Sequence, residues 1–196
     1  MLPLLLASAS PRRREMLERV GVPLEVRPAD VDEEPRPGEA PGAYVARIAR
    51  DKAHAVARRS GQWVLAADTT VTVDGKILAK AATGDEAAEM LRALSGRTHQ
   101  VITAFAIVGD SGLHEGSVST DVAVVPIDEA AIRDYVASGE WRGKAGAYAI
   151  QGIAAAFVRA VRGSVTNVIG LPLVEVLDAL RAAGAPGAQL AHGIPS

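Results

Sequence analysis

Two serines and three arginines crowd the start of the chain, where Ser8, Ser10, Arg12, Arg13 and Arg14 lie between an apolar run and the first candidate helix. An arginine fork donates two parallel bonds to two phosphate oxygens, while hydroxyls and the free N–H groups of a helix start can take the remaining ones. A solvated basic face on an exposed helix is the competing reading. A second candidate is Asp68, in Ala66-Ala67-Asp68-Thr69-Thr70, which ends an apolar stretch. Open α/β sheets bind ligands at such a place, and the acid has the reach of a general base or a metal ligand. An aspartate that merely closes a turn would look the same. The third candidate runs from Gly143 to Gly152, GKAGAYAIQG. Small residues let backbone approach a ligand, Lys144 is a point charge suited to phosphate, and Gln151 is a polar side chain in an apolar stretch. A glycine-rich strand whose Gln satisfies a neighbouring backbone group accounts for it equally. It is no Walker loop, because Gly139 and Gly143 are too close and neither Ser nor Thr follows Lys144.

An acidic loop adds Asp30, Asp32, Glu33 and Glu34. Carboxylates near Asp68 could hold Mg²⁺ together with a substrate phosphate, since that ion takes few protein ligands; each taken singly also reads as a solvated loop charge. Lys52, Lys80 and Arg97-Thr98-His99 carry less weight by themselves.

The elements that must position these groups are read from periodicity and punctuation. Residues 2–7 read as a buried strand, and Ser10 before Pro11 marks a helix start, with the helix running to about Val20 and stopping at Gly21. Residues 23–28 form a second strand, and Ala29 to Pro41 a Pro- and acid-rich loop. Tyr44, Ile48, Ala49 and Lys52 share one face of a helix from about Gly42 to Arg59, with Lys52 near the end of that face. Residues 62–67 make a third strand ending in Asp68, and Asp74-Gly75 turns a hairpin within 71–79. Thr83 with Glu86 opens a helix that ends at Ser95-Gly96. Strands over 98–108 and 115–125, a helix near 128–137, a strand near 154–161 and a helix near 172–183 follow. Irregular alternation with internal hairpins predicts a mixed α/β sheet flanked by helices. A single domain is expected over 1–184, with a disordered tail at 185–196.

The bulk numbers restrict function. A chain of 196 residues, 48% hydrophobic and 22% charged, can build a real core. Its formal charge of −2 offers no global field for nucleic acid, so stable nucleic-acid binding is not expected. Without cysteine there are no disulfides, no thiolate metal sites and no Cys nucleophile. The run MLPLLLASA imitates a secretory signal, but no basic residue precedes it and three arginines follow directly. No stretch approaches the ~18 charge-free apolar residues of a membrane span, so a cytoplasmic location is expected.

Taken in order, these segments resemble the Maf family of nucleoside triphosphate pyrophosphatases. The markers are Ala7-Ser8-Ala9-Ser10-Pro11-Arg12-Arg13, Arg50-Asp51-Lys52-Ala53, Ala67-Asp68-Thr69, Leu94-Ser95-Gly96-Arg97-Thr98-His99, Lys144-Ala145-Gly146-Ala147-Tyr148 with Ile150-Gln151-Gly152, and Gly170-Leu171-Pro172. The resemblance implies a fold related to the inosine triphosphate pyrophosphatases, two lobes around a cleft and often a homodimer. It makes Asp68 the proton acceptor and implies a divalent cation, Mg²⁺ or Mn²⁺. The combination of Arg12, Thr69 and Gln151 is similar to the branch that hydrolyses dTTP and UTP. Two departures stand out: Ala81, Ala82 and Thr83 follow Lys80 where the family usually has Pro and an acid, and Gly143 replaces a common Asp.

On this reading Asp68 takes a proton from the water that attacks the α-phosphorus, expelling pyrophosphate. Ser8, Ser10, Arg12, Arg13, Lys52, Thr69, Lys80, Lys144 and Gln151 are the candidate substrate-binding residues, and Glu33 joins Asp68 as the candidate metal ligand. Uracil and thymine present two carbonyl acceptors around an N–H, which a Gln amide can answer with one bond of each kind. The alternatives are a nucleotide- or nucleic-acid-binding regulator of division without turnover, and a triphosphatase for noncanonical purines.

Overall fold

The computed structural model describes residues 2–185; the expected tail lies, from residue 186, outside them. The strands are β1 (Leu4–Leu6), β2 (Leu24–Val26), β3 (Val64–Val73), β4 (Lys76–Leu78), β5 (Thr98–Gly109), β6 (Gly112–Val124) and β7 (Val158–Arg162). The helices are α1 (Pro11–Arg19), α2 (Pro41–Ala55), α3 (Gly84–Leu94), α4 (Glu129–Ser138), α5 (Val165–Ile169) and α6 (Leu173–Ala183). The strands hydrogen-bond in the order β2-β1-β3-β5-β6-β7, with β4 on β3. Parallel and antiparallel pairs coexist, so the sheet is mixed, as the irregular alternation of elements predicts.

Two compact units divide the chain: Met1–Asp68, Thr103–Val118 and Gly170 onward make one, and Thr69–Ile102 with Ser119–Ile169 the other. In the first, β1 pairs in parallel with β2 and with β3, in the registers Leu4↔Leu24 and Leu5↔Val64. Leu4, Leu5 and Leu6 are fully buried, the continuous apolar run of a strand covered on both faces. Helix α1 opens at Pro11 with Ser10 extended before it, yet the Ser10 side chain makes no capping bond; its N–H donates instead to Ser8 Oγ at 3.2 Å. Helix α2 buries Tyr44, Val45, Ile48, Ala49, Lys52 and Ala53. Residues 44, 48 and 52 repeat every fourth position, so a lysine is carried on the apolar stripe.

Asp68 does not end its strand, as the sequence suggests; β3 continues through it to Val73. The β-branched run Thr69-Thr70-Val71-Thr72-Val73 favours extended backbone as far as the turn at Asp74-Gly75, whose φ values of 52° and 73° fit a tight hairpin turn. The local expectation survives in another form. The parallel ladder with β1 is last paired at Leu6↔Leu65, so Asp68 lies beyond the carboxyl end of that neighbour.

In the second unit β4 returns antiparallel on β3, and β7 lies antiparallel on β6 with an irregularity between Ala123 and Val124. Helices α3 and α4 share an apolar cluster of Ala87, Leu91, Ile132 and Tyr135, with Arg92 and Glu129 joined across it by a two-pronged bond at 2.8 Å. Thr83 caps α3, accepting from Glu86 N–H at 3.2 Å. Two segments differ from expectation. The strand read over 154–161 begins only at Val158, because Ile153–Phe157 turns a short 3-10 helix. Three successive alanines there lack the β-branching that favours extension. Helix α5 is not expected, and its signal is Ser164, whose Oγ accepts from Asn167 N–H at 3.2 Å.

Candidate active site

The ammonium of Lys52 lies between two carboxylates, 2.8 Å from Asp68 Oδ1 and 2.6 Å from Glu33 Oε1. The Lys52 and Asp68 side chains retain 9% and 10% of their exposure, and Glu33 39%. Placing charges here costs desolvation that only close pairing offsets, so the arrangement is weak evidence for stability and stronger evidence for a task.

Glu33 arrives on an irregular loop that the flank of α2 holds in place. Tyr44 donates its hydroxyl to the Glu33 carbonyl at 3.0 Å, and Arg47 Nη2 donates to the Glu34 carbonyl at 3.1 Å. Arg47 also grips both oxygens of Glu39 at 2.7 Å, and Glu34 N–H donates to Asp32 Oδ1 at 2.9 Å. Hydrogen bonds from Arg47 and from the Arg36 backbone hold Glu39 down at about 2. Burial, and then the charges of Asp68 and Glu33, push the Tyr44 phenol up to about 12, which keeps it a donor.

Arg13 turns out to be a brace. Its Nε donates to the Gly170 carbonyl at 2.7 Å, and its Nη1 to Ser8 Oγ at 3.0 Å and to the Ala67 carbonyl at 2.7 Å. The guanidinium therefore holds the peptide immediately before Asp68. Burial lowers its pKa, Asp68 raises it again and Arg12 lowers it, which records how closely these charges stand. Arg12 is half-buried and is likewise lowered by burial, with Glu15 opposing. Ser8 is buried and Ser10 half-buried at the same junction, whereas Arg14 is exposed and pairs with Glu18 one turn on. The structure thus brings Ser8, Arg13, Glu33, Lys52 and Asp68 together in the first unit.

The remaining expected residues belong to the second unit. Thr69 follows Asp68 in β3 and is half-buried, and Lys80 is exposed, at an isolated bridge to Ala145. Lys144 directs its ammonium to the carbonyls of Glu140 and Arg142, within its own turn. Gln151 is exposed, just before the 3-10 helix. Gly146, at φ 66°, lies so close to Val71 that a Cβ would stand 2.9 Å from its Cγ1. His99 is buried with Nε2 2.8 Å from the Tyr148 hydroxyl, the rings edge to face at 5.3 Å, and burial pushes its pKa down to about 4. Tyr44 and Arg47 were not singled out by sequence as site residues. The available signal was a polar-tipped aromatic eight positions before Lys52, on the same helical stripe.

Among the described residues no group of three or more His, Cys, Asp or Glu gathers into a metal cluster. Glu33 and Asp68 bracketing one cationic group are nonetheless a fitting donor set for a hard divalent ion, which commonly takes one or two carboxylates and leaves its other positions to phosphates and water. No helix among the described residues is long and apolar enough to cross a membrane.

A dTTP/UTP pyrophosphatase of Anaeromyxobacter dehalogenans is 52% identical over 187 residues, covering 93% of this chain and 95% of that protein. The dTTP/UTP pyrophosphatase of Cereibacter sphaeroides is 50% identical over 184 residues, covering 93% and 96%. Among solved structures, a HAM1 protein from Coxiella burnetii overlaps 63% of this chain and 73% of its own at 19% identity and a TM-score of 0.46. The model of the Maf-like protein family matches residues 3–183, and with relatives half identical over nearly the whole length, the chain belongs to that family.

Proposed function

We propose that this protein hydrolyses dTTP and UTP to the monophosphate and pyrophosphate, by attack of water at the α-phosphorus with Asp68 as proton acceptor. The observation that carries the reading is the buried Asp68 carboxylate held against Lys52 beside Glu33, within a chain half identical to proteins named dTTP/UTP pyrophosphatase. An anionic base and an anionic triphosphate repel, so cations must separate them. Lys52 is one, and Arg12 at the half-buried start of α1 is another. Arg13 adds its charge while holding the Ala67 carbonyl, which fixes the carboxylate's aim. Ser8 and Ser10 supply hydroxyls at the same junction. A divalent cation, Mg²⁺ or Mn²⁺, taken by Glu33 and Asp68 would offset the phosphate charge and make the attacking water a better acid. The family resemblance adds Lys80 and Lys144 as phosphate-binding residues and Arg12, Thr69 and Gln151 as the residues that select the base. The Gln151 amide can donate to one carbonyl of uracil or thymine and accept from the ring N–H. The enzyme acts on free nucleotides in the cytoplasm.

The test is a panel of triphosphates with Mg²⁺ or Mn²⁺, scored for monophosphate and pyrophosphate. UTP and dTTP should lead, and Asp68→Asn should lower kcat by ~10²- to 10⁴-fold. Orthophosphate as the product, or near-normal pyrophosphate release by Asp68→Asn, would overturn the assignment.

A further inference from the structure

We propose that Glu140 is a positioning residue that fixes the backbone carrying Gln151 and thereby sets base selectivity; this rests on the reading of Gln151 given above. Helix α4 ends at Gly139, in left-handed conformation at φ 72°, and Glu140 follows. Its carboxylate turns back to accept from three donors. Oε1 takes the Tyr135 hydroxyl at 3.0 Å and the Ala154 N–H at 3.4 Å, and Oε2 takes the Ile153 N–H at 2.9 Å. Tyr135 is only 2% exposed within α4, and burial raises its phenol pKa, so the carboxylate is tied to a rigid element by a donor that stays protonated.

The other end of the same residue is also in use, because the Glu140 carbonyl accepts the Lys144 ammonium. One residue therefore holds the turn that opens at Lys144 and the two peptides that follow Gly152. Gln151 lies between these anchors and is exposed. Close contact adds a constraint at Gly152, where a Cβ would fall 1.9 Å from Glu140 Oε2. The carboxylate of Glu140 in this position requires glycine at 152.

A long, flexible amide reads a base only if its backbone is held to within about 0.5 Å, since an unaimed Gln meets several hydrogen-bond patterns equally well. The alternative is that Glu140 merely caps the free N–H groups of the 3-10 helix. That role would lower stability and all activities together, whereas positioning alters the ratio between bases.

The experiment measures kcat and KM for UTP, dTTP and CTP, with melting temperature, in the wild type, Gln151→Ala, Glu140→Ala, Glu140→Gln and Gly152→Ala. Gln151→Ala should collapse the preference for UTP over CTP. Glu140→Ala and Gly152→Ala should lower the same ratio by roughly 10- to 10²-fold, the cost of misplacing a reading group by about 1 Å, chiefly through KM. Glu140→Gln, which keeps the length and one acceptor oxygen, should recover part of it. A Gln151→Ala enzyme with unchanged selectivity would show that the reading of Gln151 is wrong. Altered selectivity in Gln151→Ala, with unchanged ratios in Glu140→Ala and Gly152→Ala, would leave that reading intact and overturn the role of Glu140.

Discussion

Asp68 and Glu140 are both carboxylates inside a fold, held by opposite means. Asp68 faces a cationic partner, the ammonium of Lys52 at 2.8 Å, which it shares with Glu33. Glu140 faces two main-chain N–H groups and a phenol, none of which can leave without moving a helix or a turn. A cation can be exchanged for another cation, and a proton can be taken up where it stood. Peptide dipoles cannot be exchanged at all. Groups that must change charge in a reaction are suited to the first setting, and groups that hold shape to the second.

Lys52→Met gives the largest effect and strikes the exchangeable side. It leaves two carboxylates close together without their shared cation. Unfolding should become easier by about 3 kcal/mol, the lower end for a broken buried pair, because Glu33 keeps 39% of its side-chain exposure. Mn²⁺ without nucleotide should then restore more stability to Lys52→Met than to the wild type, since the ion takes the seat that the ammonium filled. Glu140→Ala should gain nothing extra from Mn²⁺. Denaturant titrations with and without the ion decide, and equal Mn²⁺ responses in the two variants would erase the distinction.

How much of this was legible beforehand follows the same division. Groups placed by a repeating element could be read: Lys52 from the stripe it shares with Tyr44 and Ile48, the start of α1 from Pro11, and the hairpin from Asp74-Gly75. Asp68 could be found from the apolar run before it, although its strand runs on, because β-branched residues extend what the change of partner interrupts. Bonds from a side chain to a distant carbonyl or N–H leave no local pattern. The grip of Arg13 on Ala67 and Gly170 joins residues 54 and 157 positions apart, and no period marks either acceptor. Glu140 carries no local signal for the same reason, since its main-chain partners stand 13 and 14 positions on. The alanines at 154–156 suit several conformations, and contacts from elsewhere decide among them.

Acid probes a neutral group buried in the same unit as Glu140. His99 lies in the second unit with Nε2 on the Tyr148 hydroxyl and Nδ1 buried without a hydrogen-bond partner, so an added proton there would find no acceptor. Its pKa is pushed down to about 4 by burial, whereas an unfolded histidine titrates near ~6.5. The unfolded chain thus binds the proton first. The contribution of neutral His99 is complete above about 6.5, declines as the pH falls toward 4, and is flat below that. Between pH 7 and pH 5 the wild type should lose about 2 kcal/mol from this group alone. Denaturant midpoints across that range should fall more steeply for the wild type than for His99→Gln, and parallel slopes would count against a buried neutral ring.

Tyr44→Phe is the smallest change, and it separates holding from reacting within the first site. The phenol donates to the Glu33 carbonyl, and its pKa of about 12 keeps that donor through the working range. Removing one hydroxyl should cost about 1 kcal/mol, felt where Glu33 meets the divalent ion. The Mg²⁺ concentration for half-maximal rate should rise roughly fivefold while kcat at saturating Mg²⁺ stays near normal, since a 1 kcal/mol loss is a factor of about five in an equilibrium constant. A fall in kcat that no Mg²⁺ concentration repairs would mean that Tyr44 acts on Asp68 rather than on the loop. It would also make the charged site as dependent on fixed dipoles as the loop that carries Gln151.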